Sequence, residues 1–172
     1  LEFNNGAITL TGTNTYSGTT TIASSTTLNV GSGGTSGSIA NSSAITDNGT
    51  LVVNRSDAVS FTQNITGTGA LTQSGTGTTT LTGTNSYGGT TTINAGTLQV
   101  GAGGTSGTLG SGAASIALGS NLSFFRSNAL TVGNAISGAG ALNFLGTGVQ
   151  DQSDYSLGAS SSITGTIHVS SS

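Results

Sequence analysis

The sequence predicts an all-β fold in which short parallel strands wind into a β-solenoid, or parallel β-helix, of about seven coils. A coil is one full turn of the chain around the long axis. Three observations predict this fold: a long internal repeat, apolar residues spaced two apart, and a composition suited to thin stacked layers. The whole chain, residues 1–172, is accordingly interpreted as a single β-helix fragment.

The internal repeat is clearest in the string TGTNTYSGTTTI at 11–22, which returns 71 positions later as TGTNSYGGTTTI at 82–93. A structural rung recurs as often as a structure has rungs, whereas a catalytic loop is needed once. Each full unit divides into roughly three coils of about 24 residues. Residues 1–3 are set aside as a cloning remnant. The units lie at about 8–77 and 78–148, with a partial, degenerate unit at 149–169.

Within a unit, apolar residues stand two apart, as Leu98 and Val100 or Ile116 and Leu118 do, with Gly or Asn between the runs. This period predicts short strands separated by corners. Thr, Val and Ile favour extended backbone because they branch at Cβ, and Gly supplies the positive φ that sharp corners require. No stretch of the chain carries the 3.6-residue spacing of a helix, so we expect none.

The composition excludes several classes of function. Charged residues make up 4% of the chain, against about 25% in an average protein. The two basic residues, Arg55 and Arg126, provide no electrostatic footprint for nucleic acid. Because the chain has no cysteine, it has no disulfide and no thiolate metal site. No apolar run is long enough to predict a membrane span, and we expect no metal and no cofactor.

Catalytic chemistry is disfavoured. His168, the single histidine, alternates with Ile167 and Val169, which predicts an outward position. No G-x-S-x-G elbow is present for a Ser-His-Asp arrangement. Asp151 and Asp154 are the carboxylates to consider as a pair, and a solvated turn is favoured over a glycosidase dyad. We therefore expect no catalytic residue and no enzymatic activity.

Other repeated residues favour structural roles. Tyr16, Tyr87 and Tyr155 occupy one position in three copies, and a stacked aromatic column along the rod is favoured over sugar-binding platforms. The Gly-rich stretches at 31–37 and 101–107 lack the Lys of a P-loop and the Asp of calcium-binding repeats, so they are interpreted as corners.

The Arg–Asp pair and the many threonines give little indication of a function. Arg55 with Asp57 becomes Arg126 with Asn128 in the second unit, so the ion pair of one copy loses its acid in the other. A surface pair of this kind stabilises little. The many threonines suggest the hydroxyl array of an ice-binding solenoid, but residues 110–145 contain a single threonine. β propensity and hydroxyl ladders explain the threonines instead.

The stretch GTGTTTLTGTNSYGGTTTINAGTLQVG at 75–101 resembles the passenger-associated transport repeat of bacterial autotransporters. A full copy extends over about 65–101, a truncated copy over 8–30 and a degenerate copy over 136–169. Gln73 departs from the pattern, which usually has Lys there. The structural repeat positions are Leu10, Tyr16, Ile22, Leu28, Val30, Leu81, Asn85, Tyr87, Ile93, Leu98 and Val100.

The resemblance implies a right-handed β-helix, type V secretion through the periplasm and an outer-membrane barrel translocator of the same precursor, and display at the bacterial cell surface or release. We expect a structural stalk that supports export and presents a distal functional region. The alternative is an adhesin module that binds host glycan or protein or self-associates. Lesser alternatives are an ice-binding solenoid and a polysaccharide-degrading β-helix, whose groove would contain Asp151, Asp154 and Arg126.

Overall fold

The fold is known from a computed structural model, which describes residues 1–39, 42–146, 155–157 and 160–171. In these residues the regular secondary structure is all β, with no helix, and every strand pairing is parallel. The strands stack into a β-solenoid of about seven turns. The predicted fold class is thereby confirmed.

Sheet B runs the length of the molecule, because every coil contributes one strand to it. Its eight strands, numbered with the others in chain order, are β2 (Gly6–Leu10), β4 (Thr26–Val30), β6 (Thr50–Val53), β9 (Ala70–Gln73), β11 (Thr91–Ile93), β13 (Ala114–Ile116), β16 (Ile136–Gly138) and β19 (Ser162–Ile163).

Sheets A, C and D form the other two sides of the solenoid, and sheet D lies on the side that sheet A occupies in the earlier coils. Sheet A contains β1 (Glu2–Phe3), β3 (Thr20–Ile22), β5 (Ile45–Asp47) and β8 (Ile65–Thr66). Sheet C contains β7 (Val59–Phe61), β10 (Thr78–Leu81), β12 (Thr97–Val100), β14 (Asn121–Arg126), β17 (Ala141–Gly146) and β20 (Ile167–Ser171). Sheet D pairs β15 (Leu130–Val132) with β18 (Tyr155–Leu157).

One coil visits the sheets in a fixed order. The chain passes through sheets A, B and C in β5, β6 and β7, and again in β8, β9 and β10. Residues in register on neighbouring coils are between 19 and 25 positions apart, as Thr79 and Leu98 or Ser137 and Ser162 show. The coils therefore vary in length at their corners, while the strands keep their register.

The core is a set of apolar ladders that run along the axis. Alternate residues of each strand point inward, as the alternating burial of β4 and β6 shows. On sheet B, Leu28, Leu51 and Leu71 are in register and buried. On sheet C, Phe124 stacks on Phe144 with ring centroids 5.5 Å apart. Each coil thus buries its apolar side chains against the coils before and after it.

Two details differ from the expectations at the level of single residues. Glu2 and Phe3, to which we assigned no structural role, form β1, and Phe3 belongs to the buried core. Leu118, which the two-residue spacing assigns to a strand with Ile116, lies in a turn and is exposed. The turn after Ile116 is longer than the equivalent turn after Asp47, and Leu118 is part of that extra length.

Equivalent strands of the two units do not occupy the same side of the solenoid. The sequence TTI forms β3 in sheet A in the first unit and β11 in sheet B in the second. The following strand is β4 in sheet B and then β12 in sheet C. The 71-residue unit therefore spans three coils and one further side, so that successive units are turned about the axis.

Candidate functional site

The residues weighed as catalytic candidates are not brought together in the described part of the structure. His168 lies on β20, exposed, in register with Asn143 on the side of sheet C that faces away from the core. Asp151 and Asp154 lie outside the described residues. Among the described residues, no group of three or more His, Cys, Asp or Glu side chains could hold a metal ion.

Both arginines bind the Gly-rich loop of a neighbouring coil. The Arg126 guanidinium donates to the backbone oxygens of Gly107 and Thr105, and its Nε donates to Asn128 Oδ1 at 3.1 Å. Arg55 donates in the same way to the Gly37 oxygen. Arg126 is only 6% exposed, so its guanidinium is a buried clamp on the loop.

The ion pair of the first unit is a variant of this clamp. Arg55 makes a bidentate contact with Asp57, with Nε–Oδ1 at 2.8 Å and Nη2–Oδ2 at 2.7 Å. The hydrogen bond from Arg55 lowers the pKa of the Asp57 carboxyl. In the second unit, burial lowers the pKa of Arg126, but a guanidinium stays charged in proteins. Its hydrogen bonds to backbone oxygens replace the missing acid.

The Gly-rich loops owe their shape to three glycines each. The glycines with positive φ are Gly31, Gly33 and Gly37 in the first loop and their counterparts Gly101, Gly103 and Gly107 in the second. A Cβ on Gly31 or Gly101 would also overlap the backbone and the arginine of the next coil. The arginine and its loop thus form one corner device that occurs twice in the chain. Sequence reasoning missed this device, although the equivalent spacing from each Gly-rich loop to its arginine is a signal for it.

Most of the structural repeat positions point into the core. Leu10 and Tyr16, in the first coils, are half-buried and pack against it. The other nine positions are buried: Ile22, Leu28, Val30, Leu81, Asn85, Tyr87, Ile93, Leu98 and Val100. The repeat positions of the motif therefore lie in the interior and at corners, not on the outer surface.

Tyr16 and Tyr87, the two tyrosines whose side chains the structure describes, do not form a column. Tyr16 and Tyr87 precede β3 and β11, which are three coils apart, so about 14 Å separates them along the axis. The expected aromatic column is wrong because a unit longer than one coil cannot place its equivalent residues on adjacent coils. Each phenol instead bonds the threonine four residues later, Tyr16 to Thr20 at 2.7 Å and Tyr87 to Thr91 at 2.8 Å.

Gln73 performs a corner role inside the solenoid. It is buried, in register with Val53 and Ile93 on sheet B. Its Nε2 donates to the backbone oxygens of Gly75 at 2.8 Å and Gly77 at 3.2 Å, and its Oε1 accepts from the Thr79 hydroxyl at 2.6 Å. Gln73, at the position where the pattern usually has Lys, thus links the corner after β9 to the start of β10.

The central column of side chains on the outer face of sheet B is small and uncharged. Asn29 and Val52 interrupt the threonines of this column, and serine replaces threonine from β13 onward. An unbroken threonine array of the ice-binding type is therefore not present there. In register order the column is Thr9, Asn29, Val52, Thr72, Thr92, Ser115, Ser137 and Ser162.

A cavity of about 420 Å³ lies between the corners that precede β13 and β16. Its apolar wall includes Leu109, Phe124 and Val132. The polar lining is already hydrogen-bonded between coils: the Thr108 hydroxyl bonds Asn85, and Asn134 Nδ2 donates to the backbone oxygen of Gly110. No acid, base or cation is among the lining residues, so the cavity offers shape and apolar surface without reactive groups.

Comparisons with known proteins identify the repeat. A family model described as passenger-associated-transport-repeat matches residues 4–30 and 71–100. These matches correspond to the truncated and the full copy recognised in the sequence, and neither extends into the degenerate copy at 136–169. No curated protein and no solved structure matches the chain. Within the described residues, no helix is long and apolar enough to cross a membrane.

Proposed function

The chain carries two passenger-associated transport repeats, and from this premise we propose that it is a stalk segment of an autotransporter passenger. The segment is non-enzymatic, is exported by type V secretion through the barrel of its own precursor, and is displayed at the cell surface or released. Its role is to support export and to hold a distal functional region away from the membrane. The observation that carries the proposal is the continuous set of inter-coil ladders.

Stacking gives such a segment a direction of folding. A strand finds its hydrogen-bond partners 19 to 25 residues away, on the coil before it or after it. Each emerging coil can therefore fold onto the preceding one without waiting for distant parts of the chain. The free energy gained in that step favours outward movement. The near-absence of charge assists passage, since few ionic groups need desolvation in a narrow pore.

The use of the polar side chains also supports a structural role. At the described corners, Asn85, Gln73 and Arg126 satisfy backbone groups of their own or neighbouring coils. A binding or catalytic residue needs free hydrogen-bonding capacity directed at a ligand. These side chains have that capacity committed to corners, as a stalk requires.

Paired substitutions in the intact precursor test the proposal. Leu71→Asp puts a charge into the core ladder, whereas Thr72→Asp puts the same charge on the outer face of the same strand. We expect Leu71→Asp to reduce surface-exposed passenger several-fold, measured by protease treatment of whole cells, and Thr72→Asp to retain most of it. Equal surface display and equal protease resistance of the two variants would contradict a stalk folded by coil stacking.

A second candidate function is an adhesin module, and the outer column of sheet B favours it. This column offers hydroxyl, amide and methyl groups without charge from Thr9 to Ser162. Such a face can approach a glycan, a protein surface or a second copy closely. The purified chain distinguishes the two functions: an adhesin coats host cells or aggregates bacteria at micromolar concentration, whereas a stalk segment does neither.

A further inference from the structure

Asp47 places a carboxyl group inside the solenoid. It ends β5, in register with Ile22 on β3, and it is 0% exposed. Its Oδ1 accepts a hydrogen bond from the backbone N–H of Gly49 at 3.0 Å. Its Oδ2 is buried without a hydrogen-bond partner. A buried carboxylate that is only half satisfied is costly, because burial penalises the charged form.

The shape of this position does not require an acid. In three coils, a corner glycine packs over the last inward residue of the preceding coil: Gly49 over Ile22, Gly69 over Asp47 and Gly140 over Ile116. Isoleucine fills the position in two of the three cases. Asp47 therefore places a titratable carboxyl group at a core position that is otherwise occupied by an apolar side chain.

We propose that Asp47 is a protonation switch that tightens the coils of β3, β5 and β8 in acid and loosens them at neutral pH. In acid the carboxyl is neutral and resembles its apolar counterparts in charge. At neutral pH it ionises beneath Gly69, whose close approach leaves no room for water to solvate it. The neighbouring strands then separate more readily.

The pKa of Asp47 supports this direction. Burial raises the pKa to about 6 from the ordinary 3.8, against the opposing effect of the nearby backbone N–H groups of Gly49 and Leu51. Between these two values the folded chain holds a proton that the unfolded chain has released. Stability is thus greatest below about pH 4 and falls as pH rises through 6. A carboxyl group whose pKa is lowered in the folded chain gives the opposite dependence, with stability that rises as pH rises.

The groups around Asp47 do not mask this effect. The described residues of β3, β8 and the corners at 23–25 and 67–69 include no titratable side chain. Two coils on, Tyr87 senses the charge: its pKa is raised to about 12, first by burial and in smaller part by Asp47. Its phenol stays neutral throughout the relevant range. Asp57, whose pKa is lowered by Arg55, contributes with opposite sign in every variant and cancels in comparison.

Amide hydrogen exchange on the full chain tests the proposal. Asp47→Asn keeps the oxygen that accepts from Gly49 and removes the ionisation. After correction for intrinsic exchange rates, we expect the opening constant of β3, β5 and β8 to rise on the order of 100-fold between pH 4 and 7.5 in the wild type, one factor of ten per pKa unit. The same constant should change far less in Asp47→Asn, and β14 and β17 should behave alike in both proteins.

A second variant keeps the test decisive if Asp47→Asn folds poorly. Asp47→Ile copies the residue found at positions 22 and 116, and it too should lose the pH dependence of opening. Parallel pH profiles of the wild type and either folded variant in β3, β5 and β8 would overturn the switch. A wild-type profile that rises in acid instead of at neutral pH would overturn it as well.

Discussion

The glycines of the repeated motif have matching sequence contexts but different surroundings. Gly83 and Gly89 of the second unit lie directly on backbone atoms of Gln63 and Gly69, so that a Cβ would overlap them. Their counterparts Gly12 and Gly18 meet nothing within 4 Å. None of the four has a positive φ. These glycines are therefore required by the close approach of the coil beneath, and only where such a coil is present.

Alanine substitution at these positions tests whether glycine is required by contact with the preceding coil or by the local backbone conformation. Gly83→Ala should lower the free energy of unfolding by about 1–3 kcal/mol, because the new methyl group forces the backbone of the preceding coil to move. The matched variant Gly12→Ala should change it by no more than about 0.5 kcal/mol, since the space there is open. Chemical denaturation measures both. Similar losses in the two variants would mean that local conformation, not stacking, selects glycine.

At this scale the sequence predicts corners but not their cause. The recurrence of Gly83 after Gly12 indicates a fixed structural need, and the alternation around Leu98 predicts which side chains point inward. The neighbour of a glycine on the adjacent coil depends on coil length, which the sequence does not state. The same limit applies to Asp47, whose inward position follows from the register with Ile22.

Corners are the elements that join one coil to the next, and asparagine organises the best-connected one. Asn85 Oδ1 accepts from the backbone N–H of Ile65 at 2.9 Å, and its Nδ2 donates to the Thr108 oxygen at 2.7 Å. The side chain thus links the coil before it to the coil after it. The equivalent Asn14 donates to the oxygens of Ser38 and Gly12 and is only half-buried.

Removing the two side chains should have unequal effects. Asn85→Ala leaves a buried N–H and a carbonyl oxygen without partners, so we expect a loss of about 2–4 kcal/mol in the free energy of unfolding. Asn14→Ala should cost less than about 1 kcal/mol, because water reaches the groups that it exposes. Thermal and chemical unfolding of both variants measure the difference. Equal losses would show that the link to the preceding coil adds nothing.

The strands were predictable as elements, whereas their distribution over the sheets was not. Alternation of apolar residues predicts β11 and β12, and the repeat predicts that β3 and β4 resemble them. These equivalent strands nevertheless join different sheets. In the first unit β3 and β4 lie in sheets A and B, and in the second unit β11 and β12 lie in sheets B and C. The side on which a strand falls depends on the summed length of all preceding corners. A local sequence pattern does not reveal small differences in corner length.

The whole molecule is a three-sided rod whose repeat does not contain a whole number of coils. Seven turns at about 4.8 Å give a length of about 34 Å. The unit exceeds the expected three coils, because the three coils that follow β4 hold 23, 20 and 20 residues and so end before the 71 positions are used. Successive units are consequently rotated by one side, about a third of a turn. A surface present on one side in one unit faces another direction in the next.

Deletion of residues 11–81 tests this rotation, because it joins Leu10 to Thr82 and regenerates the LTGTN string. Thr9 then takes the place of Thr80, in the sheet C column with Gln99, Ser123 and Asn143. In the wild type Thr9 lies six coils from Ser137 in the sheet B column. The rod should shorten by about 16 Å and its first strand should change sides.

Spin labels measure that change cleanly, since the chain has no native cysteine. Between labels at Thr9→Cys and Asn143→Cys, the separation along the axis should fall from about 30 Å to about 14 Å, three coil steps within one column. The matched pair Thr9→Cys and Ser137→Cys should remain farther apart in the deletion variant, because its labels now project from different sides. If Thr9 approached Ser137 more closely than Asn143, the unit would consist of whole coils and the rotation would be refuted.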